Sequence, residues 1–277
     1  MQSSNPVFRR SDGFNGRSQY ATFDQTGYGA PGAPVTWAGA GSGRMTIDTV
    51  VQKTTMTLGV VVLAAAATWA LTGNPTDFGT SGSNAASQLY ALAVVGSLVG
   101  FGLSMVNSFK KVVSPALVLA YAAFEGVAVG AFSKVVDSSF DQPNQHGLVV
   151  GAVLGTVAAV GGTLAAYKVF DIQVSNKFRS WVIGMMFGFV AVTLLDFVLG
   201  LFHSSIGFNG FGGLGILMSL VGLGLGVLML ILDFDFVERG IAAGLPERES
   251  WRAAFGLTVT IVWIYIELLR LIAALRR

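Results

Sequence analysis

Two stretches near the C-terminus, 230-LILDFDFVERG-240 and 263-WIYIELLRLI-272, place carboxylates inside or at the edge of long apolar runs. Both runs are apolar enough to lie in lipid, and they predict membrane helices. A charged carboxylate at the centre of a bilayer costs about 3 kcal/mol even on insertion scales. The acids therefore need a structural or functional explanation.

The composition of the whole chain is that of a membrane protein. Of its 277 residues, 53% are hydrophobic and 12% are charged, whereas soluble domains are about 25% charged. The absence of cysteine excludes disulfides, Cys-ligated metals and a thiol nucleophile. The net charge of +2 is small and the basic residues are dispersed, so we expect no nucleic-acid partner. We also expect no cofactor, with Ca²⁺ only as a transported or transiently bound ion.

Seven apolar stretches have about the 17 to 25 residues that cross a bilayer. They are continuous and lack period-2 alternation, so they predict an all-α polytopic fold rather than a barrel. Residues 46–277 form this domain, and residues 1–45, rich in Gly, Ser, Asn and Pro, predict a disordered, uncleaved cytoplasmic tail. The predicted spans are Thr54–Leu71, Gln88–Val106, Val113–Phe132, Leu148–Tyr167, Trp181–Phe202, Phe211–Leu232 and Ala253–Leu275.

Lys and Arg residues predict the orientation. If the N-terminus is cytoplasmic, nearly all loop cations fall on that side, and Lys134 lies opposite. Arg276 and Arg277 do not fit this cytoplasmic placement of basic residues, because seven full spans place them on the opposite side of the membrane. Glycines four residues apart also predict close helix packing. These pairs are Gly96 and Gly100, Gly126 and Gly130, Gly151 and Gly155, Gly184 and Gly188, and Gly222 and Gly226.

The acids near or within the spans are the candidate functional residues. In one interpretation they are structural, with Glu267 paired to Arg270 three residues later on the same helical face. In the other, several face one another and form a proton or cation site, since two close carboxylates in low dielectric titrate as a unit. The ion-pathway candidates are Glu125, Asp196, Asp233, Asp235, Glu238 and Glu267.

Other classes of membrane protein fit the residues less well. A retinal protein needs a lysine in its last helix, whereas the last lysine here is Lys177. The two histidines, His146 and His203, lie in predicted loops and form no HExxH motif. An intramembrane aspartyl protease stays open as a minor alternative, because acids occur on adjacent spans. We expect the chain not to be an enzyme.

Several short elements, in order, resemble the Bax inhibitor-1 (transmembrane Bax inhibitor motif) family, and more closely its actinobacterial members. They are 4-SNPVF-8, 45-MTIDTVVQKTTMTLGV-60, the Glu125–Gly126 pair and 233-DFDFVE-238. The resemblance covers most of the chain. It implies six helices around a central seventh, a bacterial plasma membrane location, and a pH-sensitive Ca²⁺ leak.

The resemblance also implies roles for two of the acids. In the family, an aspartate at the cytoplasmic end of the sixth helix pairs with one in the seventh as a pH sensor. Asp233 matches the first position, and Glu267, in 264-IYIE-267, falls where a Leu-Tyr-x-Asp pattern would place the second. This pair would also bind Ca²⁺ transiently. Asp235 is a competitor for the first position.

Two alternatives stay open beside a Ca²⁺ or proton leak across the lipid bilayer. The first is a non-transporting regulator that binds another membrane protein, such as a membrane protease, and its partner binding would survive neutralisation of the acids. The second is a proton-coupled exporter of small solutes. That function would favour inverted repeats, and the sequence contains no convincing internal repeat.

Overall fold

The computed structural model describes residues 43–76, 80–110, 112–140 and 147–276. Within these ranges the chain forms helices and no β-strand, and all seven helices are long and apolar enough to cross a membrane. The predicted all-α, seven-span fold class is confirmed. The helices are α1 (Ile47–Leu71), α2 (Thr80–Phe109), α3 (Pro115–Phe140), α4 (Leu148–Val169), α5 (Asn176–Leu201), α6 (Gly213–Ala242) and α7 (Glu249–Leu275).

Most helices extend beyond the predicted spans. α6 ends at Ala242 rather than Leu232, because backbone hydrogen bonding continues after the hydropathy falls at the first acid. Asp233, Asp235 and Glu238 are therefore helical residues. α1 begins earlier than predicted because Thr46 caps it: its hydroxyl accepts a hydrogen bond from the Thr49 N–H in a capping box.

Helix α7 is the central element of the bundle. Its backbone lies close to those of α1, α3, α4 and α6, whereas among the described residues the backbone of α2 comes close only to α3 and that of α5 only to α6. In the apolar 18-residue segment of α7, 56% of the residues are buried, compared with 17% in the corresponding segments of α2 and α5. The predicted central position of the seventh helix is confirmed. We call the end where α1, α3, α5 and α7 begin the proximal end, and the other the distal end.

Some of the predicted glycine pairs do bring helices together. A Cβ added at Gly130 would lie 2.6 Å from the Ala65 carbonyl oxygen, and one at Gly226 would lie 2.7 Å from Ile264 Cγ1. Hence α1 packs closely on α3, and α6 on α7. The α5 pair, Gly184 and Gly188, differs from the prediction, because a Cβ there meets nothing within 4 Å among the described residues.

The contrast between these glycines gives a stability prediction. Gly130→Ala forces α1 away from α3, and overpacking of this kind costs about 1–3 kcal/mol. Gly188→Ala adds a methyl group to open space and improves helix propensity. We expect Gly130→Ala to lower the unfolding temperature in detergent, and Gly188→Ala to leave it unchanged or raise it. Equal unfolding temperatures for the two variants would contradict this packing.

The predicted tail, residues 1–45, lies outside the described residues up to position 42, so its disorder stays a prediction. Its last residues are described. Arg44 forms an isolated bridge with Pro246, and the Met45 N–H donates a 2.8 Å hydrogen bond to the Leu245 carbonyl. Met45 is buried in a core cluster with residues of α6 and α7.

Candidate functional site

Asp233 lies on the face of α6 that packs against α7. Its Oδ2 accepts a 2.6 Å hydrogen bond from the hydroxyl of Thr260, which is buried on α7. Its Oδ1 faces the α7 backbone, 3.5 Å from where a Cβ of Gly256 would be. Among the described residues, no Lys, Arg or His forms an ion pair with this carboxylate. Asp233 therefore links α6 to the central helix through one hydroxyl, without a compensating positive charge.

Glu267 lies further along α7, toward the distal end. Its carboxylate forms an ion pair with Arg270 at 3.4 Å, and the buried Ser219 of α6 lies close to it. A Cβ added at Gly222 would lie 2.8 Å from the Glu267 carboxylate, so this glycine makes room for the acid. The Arg270 guanidinium also donates a 3.0 Å hydrogen bond to the Phe208 carbonyl. The ion pair predicted from the sequence is present, and it holds the loop before α6.

The structure does not bring Asp233 and Glu267 together, which corrects the predicted carboxylate pair. The two helices are antiparallel, and Asp233 faces Thr260 while Gly222 faces Glu267. Eleven residues of α6 separate Asp233 from Gly222 and seven residues of α7 separate Thr260 from Glu267, which places the two acids about 10–16 Å apart along the helices. A single Ca²⁺ cannot be held by both acids at that separation. The partner opposite Asp233 is a threonine rather than a second acid.

Asp235 and Glu238 face away from α7 and hold the proximal end together. Asp235 is buried and accepts hydrogen bonds from Arg179 at 2.7 Å and Arg239 at 2.9 Å. Glu238 accepts a 2.8 Å hydrogen bond from the Tyr167 hydroxyl. These contacts join α4 and α5 to α6. Asp235 therefore carries two cationic partners, and it is a poor alternative to Asp233 as a cation site.

Asp196 near the distal end of α5 organises the loop between α5 and α6. Its Oδ1 accepts hydrogen bonds from the backbone N–H groups of Ile206 at 2.7 Å and Gly207 at 3.0 Å, and its Oδ2 accepts one from Asn209 at 2.8 Å. The residue is 2% exposed. With its acceptor capacity used by the backbone, Asp196 anchors this loop.

Neutralising Asp196 should loosen this loop. In Asp196→Asn an NH2 group replaces one carboxylate oxygen and cannot accept a hydrogen bond, so at least one partly buried backbone N–H loses its acceptor, at about 1–3 kcal/mol. We expect a lower unfolding temperature and faster proteolysis within residues 203–212. Asp171→Asn, at an exposed loop position, serves as the control. Unchanged proteolysis of the loop in Asp196→Asn would contradict the anchoring role.

Glu125 lies on α3 and faces α2. A Cβ added at Gly100 would lie 2.8 Å from its Oε2, so the glycine makes room for the carboxylate. Glu125 has no ion-pair partner in the part of the chain that the structure describes. The acid is packed between helices rather than directed into lipid, as expected for an ionisable residue in a span.

Sequence reasoning missed three residues at the α6–α7 interface. Thr260 and Ser219 are ordinary polar residues in apolar runs, and only the register between the helices shows that they face acids. Trp263 donates its indole N–H to the Gly222 carbonyl at 3.0 Å and packs edge-on against Phe189 at 5.5 Å. The available signal was helical spacing, since Thr260, Trp263 and Glu267 recur at three and four residues along α7.

The comparisons with known proteins agree with this architecture. The family model described as Bax inhibitor 1 like matches residues 5–277. A comparison with curated proteins finds no match. Because the family model covers essentially the whole chain, the chain belongs to the Bax inhibitor 1 like family of membrane proteins.

Proposed function

We propose that this protein is a pH-sensitive leak channel for Ca²⁺ and related cations, with Asp233 as the pH-sensitive group. The observation that carries the proposal is the Asp233–Thr260 contact. It places a carboxylate without a cationic partner among the described residues against the central helix, within a span. Carboxylate and hydroxyl oxygens are ligands that Ca²⁺ accepts.

The predicted pair of acids acts in this proposal at two depths rather than at one. Asp233 controls the proximal half of the α6–α7 interface. Glu267, held by Arg270 and Ser219, closes the distal half together with the Phe208 carbonyl. A permeating cation meets a single carboxylate at the level of Asp233. At the level of Glu267 it meets a carboxylate whose charge is already neutralised by an arginine. The energy barrier to passage of a cation is therefore higher at that end.

The direction of the pH effect follows from competition between a proton and a cation. A metal ligand must be deprotonated, so a proton on Asp233 removes the charge that attracts Ca²⁺. An ionised Asp233 has one hydroxyl partner and draws water and a cation into the interface. We therefore expect faster cation flux at about pH 8 than at about pH 6, a range in which buried carboxylates titrate.

The orientation is part of the proposal. We place the proximal end in the cytoplasm and the protein in the bacterial plasma membrane. The proximal helix ends and loops hold most of the basic residues of the described chain, in agreement with the rule that positive charge stays inside. Ca²⁺ and protons are then the solutes, and lipid is the surrounding partner.

Ca²⁺ entry into dye-loaded liposomes tests the proposal. Purified protein is reconstituted, and flux is followed at about pH 6 and about pH 8, a range chosen to include a buried carboxylate's titration. Empty liposomes and liposomes with Asp171→Asn, at an exposed loop position, are the controls. Flux above that of empty liposomes, faster at the higher pH, supports a leak. The absence of flux at both pH values would overturn it and favour a regulator that binds another membrane protein.

A further inference from the structure

Asn107 is a buried polar residue on the face of α2 that packs against α3. It is 2% exposed, and neither Oδ1 nor Nδ2 has a hydrogen-bond partner within the described ranges. Buried amides in folded proteins are almost always hydrogen-bonded, to protein or to ordered water. The site around Asn107 therefore calls for a polar ligand, and its neighbours indicate which one.

The register between α2 and α3 shows which residues face Asn107. The helices are antiparallel, because Gly96 lies against Ala128 while Gly100 lies against Glu125. Asn107 comes seven residues after Gly100, about two helical turns nearer the proximal end. On α3, two helical turns from Glu125 toward the proximal end extend beyond Tyr121. Helical side chains lean toward the N-terminus of their helix, so Asn107 leans toward Glu125, and Glu125 leans toward Asn107.

Tyr121 occupies the level between Asn107 and Glu125. It is one turn before Glu125 on the same face of α3, and its phenol lies within electrostatic range of the Glu125 carboxylate. Its ring packs edge-on against Phe255 of α7 at 5.1 Å, which fixes its position. On α2, Ser104 lies between Gly100 and Asn107 on the same face. Amide, hydroxyl and carboxylate groups thus follow one another along the α2–α3 interface.

We infer that these residues line a water-filled recess, which admits a small hydrated cation from the proximal end as far as Glu125. Its groups offer the hard oxygen ligands that such cations prefer, and the carboxylate supplies the charge. The recess differs from the Asp233 site in its helices, because its lining residues belong to α2 and α3 whereas Asp233 belongs to α6 and contacts Thr260 of α7. The identity of the solute as a cation rests on the proposed function, whereas the access of water does not.

The absence of cysteine makes a direct test possible. Single cysteines are introduced as Ser104→Cys and Asn107→Cys, and the protein is placed in lipid nanodiscs so that both ends are open to reagent. Phe101→Cys is the control, because Phe101 is 65% exposed on the outer face of α2, near Gly100 in depth. Ser104→Cys exchanges one oxygen for sulfur and should preserve the fold, which size-exclusion chromatography checks.

Thiols react with methanethiosulfonates as thiolates, which form in water but not in lipid. We expect the Ser104→Cys and Asn107→Cys thiols to react at least roughly tenfold faster than the Phe101→Cys thiol. The Ser104→Cys thiol should react faster with a trimethylammonium reagent than with a sulfonate reagent. Adding Glu125→Gln to the same chain should reduce this ratio of rates roughly tenfold. Both preferences are corrected for the ratio of the two reagents on a free thiol.

Each result decides one part of the inference. Rates at positions 104 and 107 equal to the rate at position 101 would overturn the recess. Fast reaction without charge preference, or a preference that survives Glu125→Gln, would overturn the role of Glu125 in admitting cations. Because none of these readouts measures flux, a recess can be present in a protein that shows no Ca²⁺ leak, and the two proposals fail independently.

Discussion

Asp233→Asn is expected to make cation flux independent of pH between about 6 and 8, a range that spans the titration of a buried carboxylate. The asparagine keeps the size of the side chain and an oxygen that can accept the hydrogen bond from Thr260. It removes a carboxylate charge that has no ion-pair partner among the described residues. We therefore expect flux at the higher pH to fall to the level of the lower pH, with α6 and α7 still in contact.

Glu238→Gln is the matched control for this prediction. Glu238 lies five residues later on α6, is exposed, and contacts Tyr167 and Lys168 instead of α7. Its neutralisation should leave the pH dependence intact. Thr260→Val complements the test, because it removes the hydroxyl but keeps the shape and the Asp233 charge. If Asp233→Asn retains the pH dependence of the wild type, another group is the sensor.

Arg270→Ala is expected to cause the largest loss of stability. It leaves the Glu267 carboxylate, 4% exposed, without its cationic partner, and it removes the donor to the Phe208 carbonyl. Breaking a buried ion pair by removing one partner costs about 3–5 kcal/mol, because the remaining charge is uncompensated. The measurement is the unfolding temperature in detergent.

A second substitution separates charge from packing in this prediction. Glu267→Gln in the Arg270→Ala background removes the uncompensated charge, so it should recover part of the lost stability. Arg248→Ala, at an exposed position before α7, should have little effect. An unfolding temperature of Arg270→Ala equal to that of Arg248→Ala would show that the ion pair contributes little.

The fold could be predicted from the sequence because membrane helices depend on local properties. Apolar run length gave seven spans, and the family resemblance implied the central position of α7, which the structure confirms. Helix ends were less accurate, since the hydropathy of α6 falls at Asp233 while its backbone continues to Ala242. Capping by Thr46 likewise extends α1 without any apolar signal.

The site was harder to predict because it depends on the register between helices. The sequence identified Asp233 and Glu267 as unusual, but their depths follow from how α6 meets α7. Gly222 and Gly226 let α7 approach, and the Trp263 indole fixes the register by its hydrogen bond to the Gly222 carbonyl. That register sets Thr260 against Asp233. No motif in either helix encodes this pairing, because it results from packing between residues distant in sequence.

Asp196 illustrates a second limit of sequence reasoning. As an acid within an apolar run it resembled Glu125 and Asp233, yet its carboxylate is used by the backbone N–H groups of the following loop. Loop conformation decides that role, and composition does not reveal it. Acids in membrane spans are therefore candidates for function only until their partners are known.

The most direct test of the central claim is to measure cation flux and the protonation of Asp233 in the same liposomes. Infrared difference spectra between pH values report the carbonyl band of a protonated carboxyl group, and the band of Asp233 is the one lost in Asp233→Asn. Our account predicts that this band and Ca²⁺ flux change with the same midpoint, with flux rising as the band disappears. Flux that changes at a different pH from the band, or that falls as the band disappears, would contradict it.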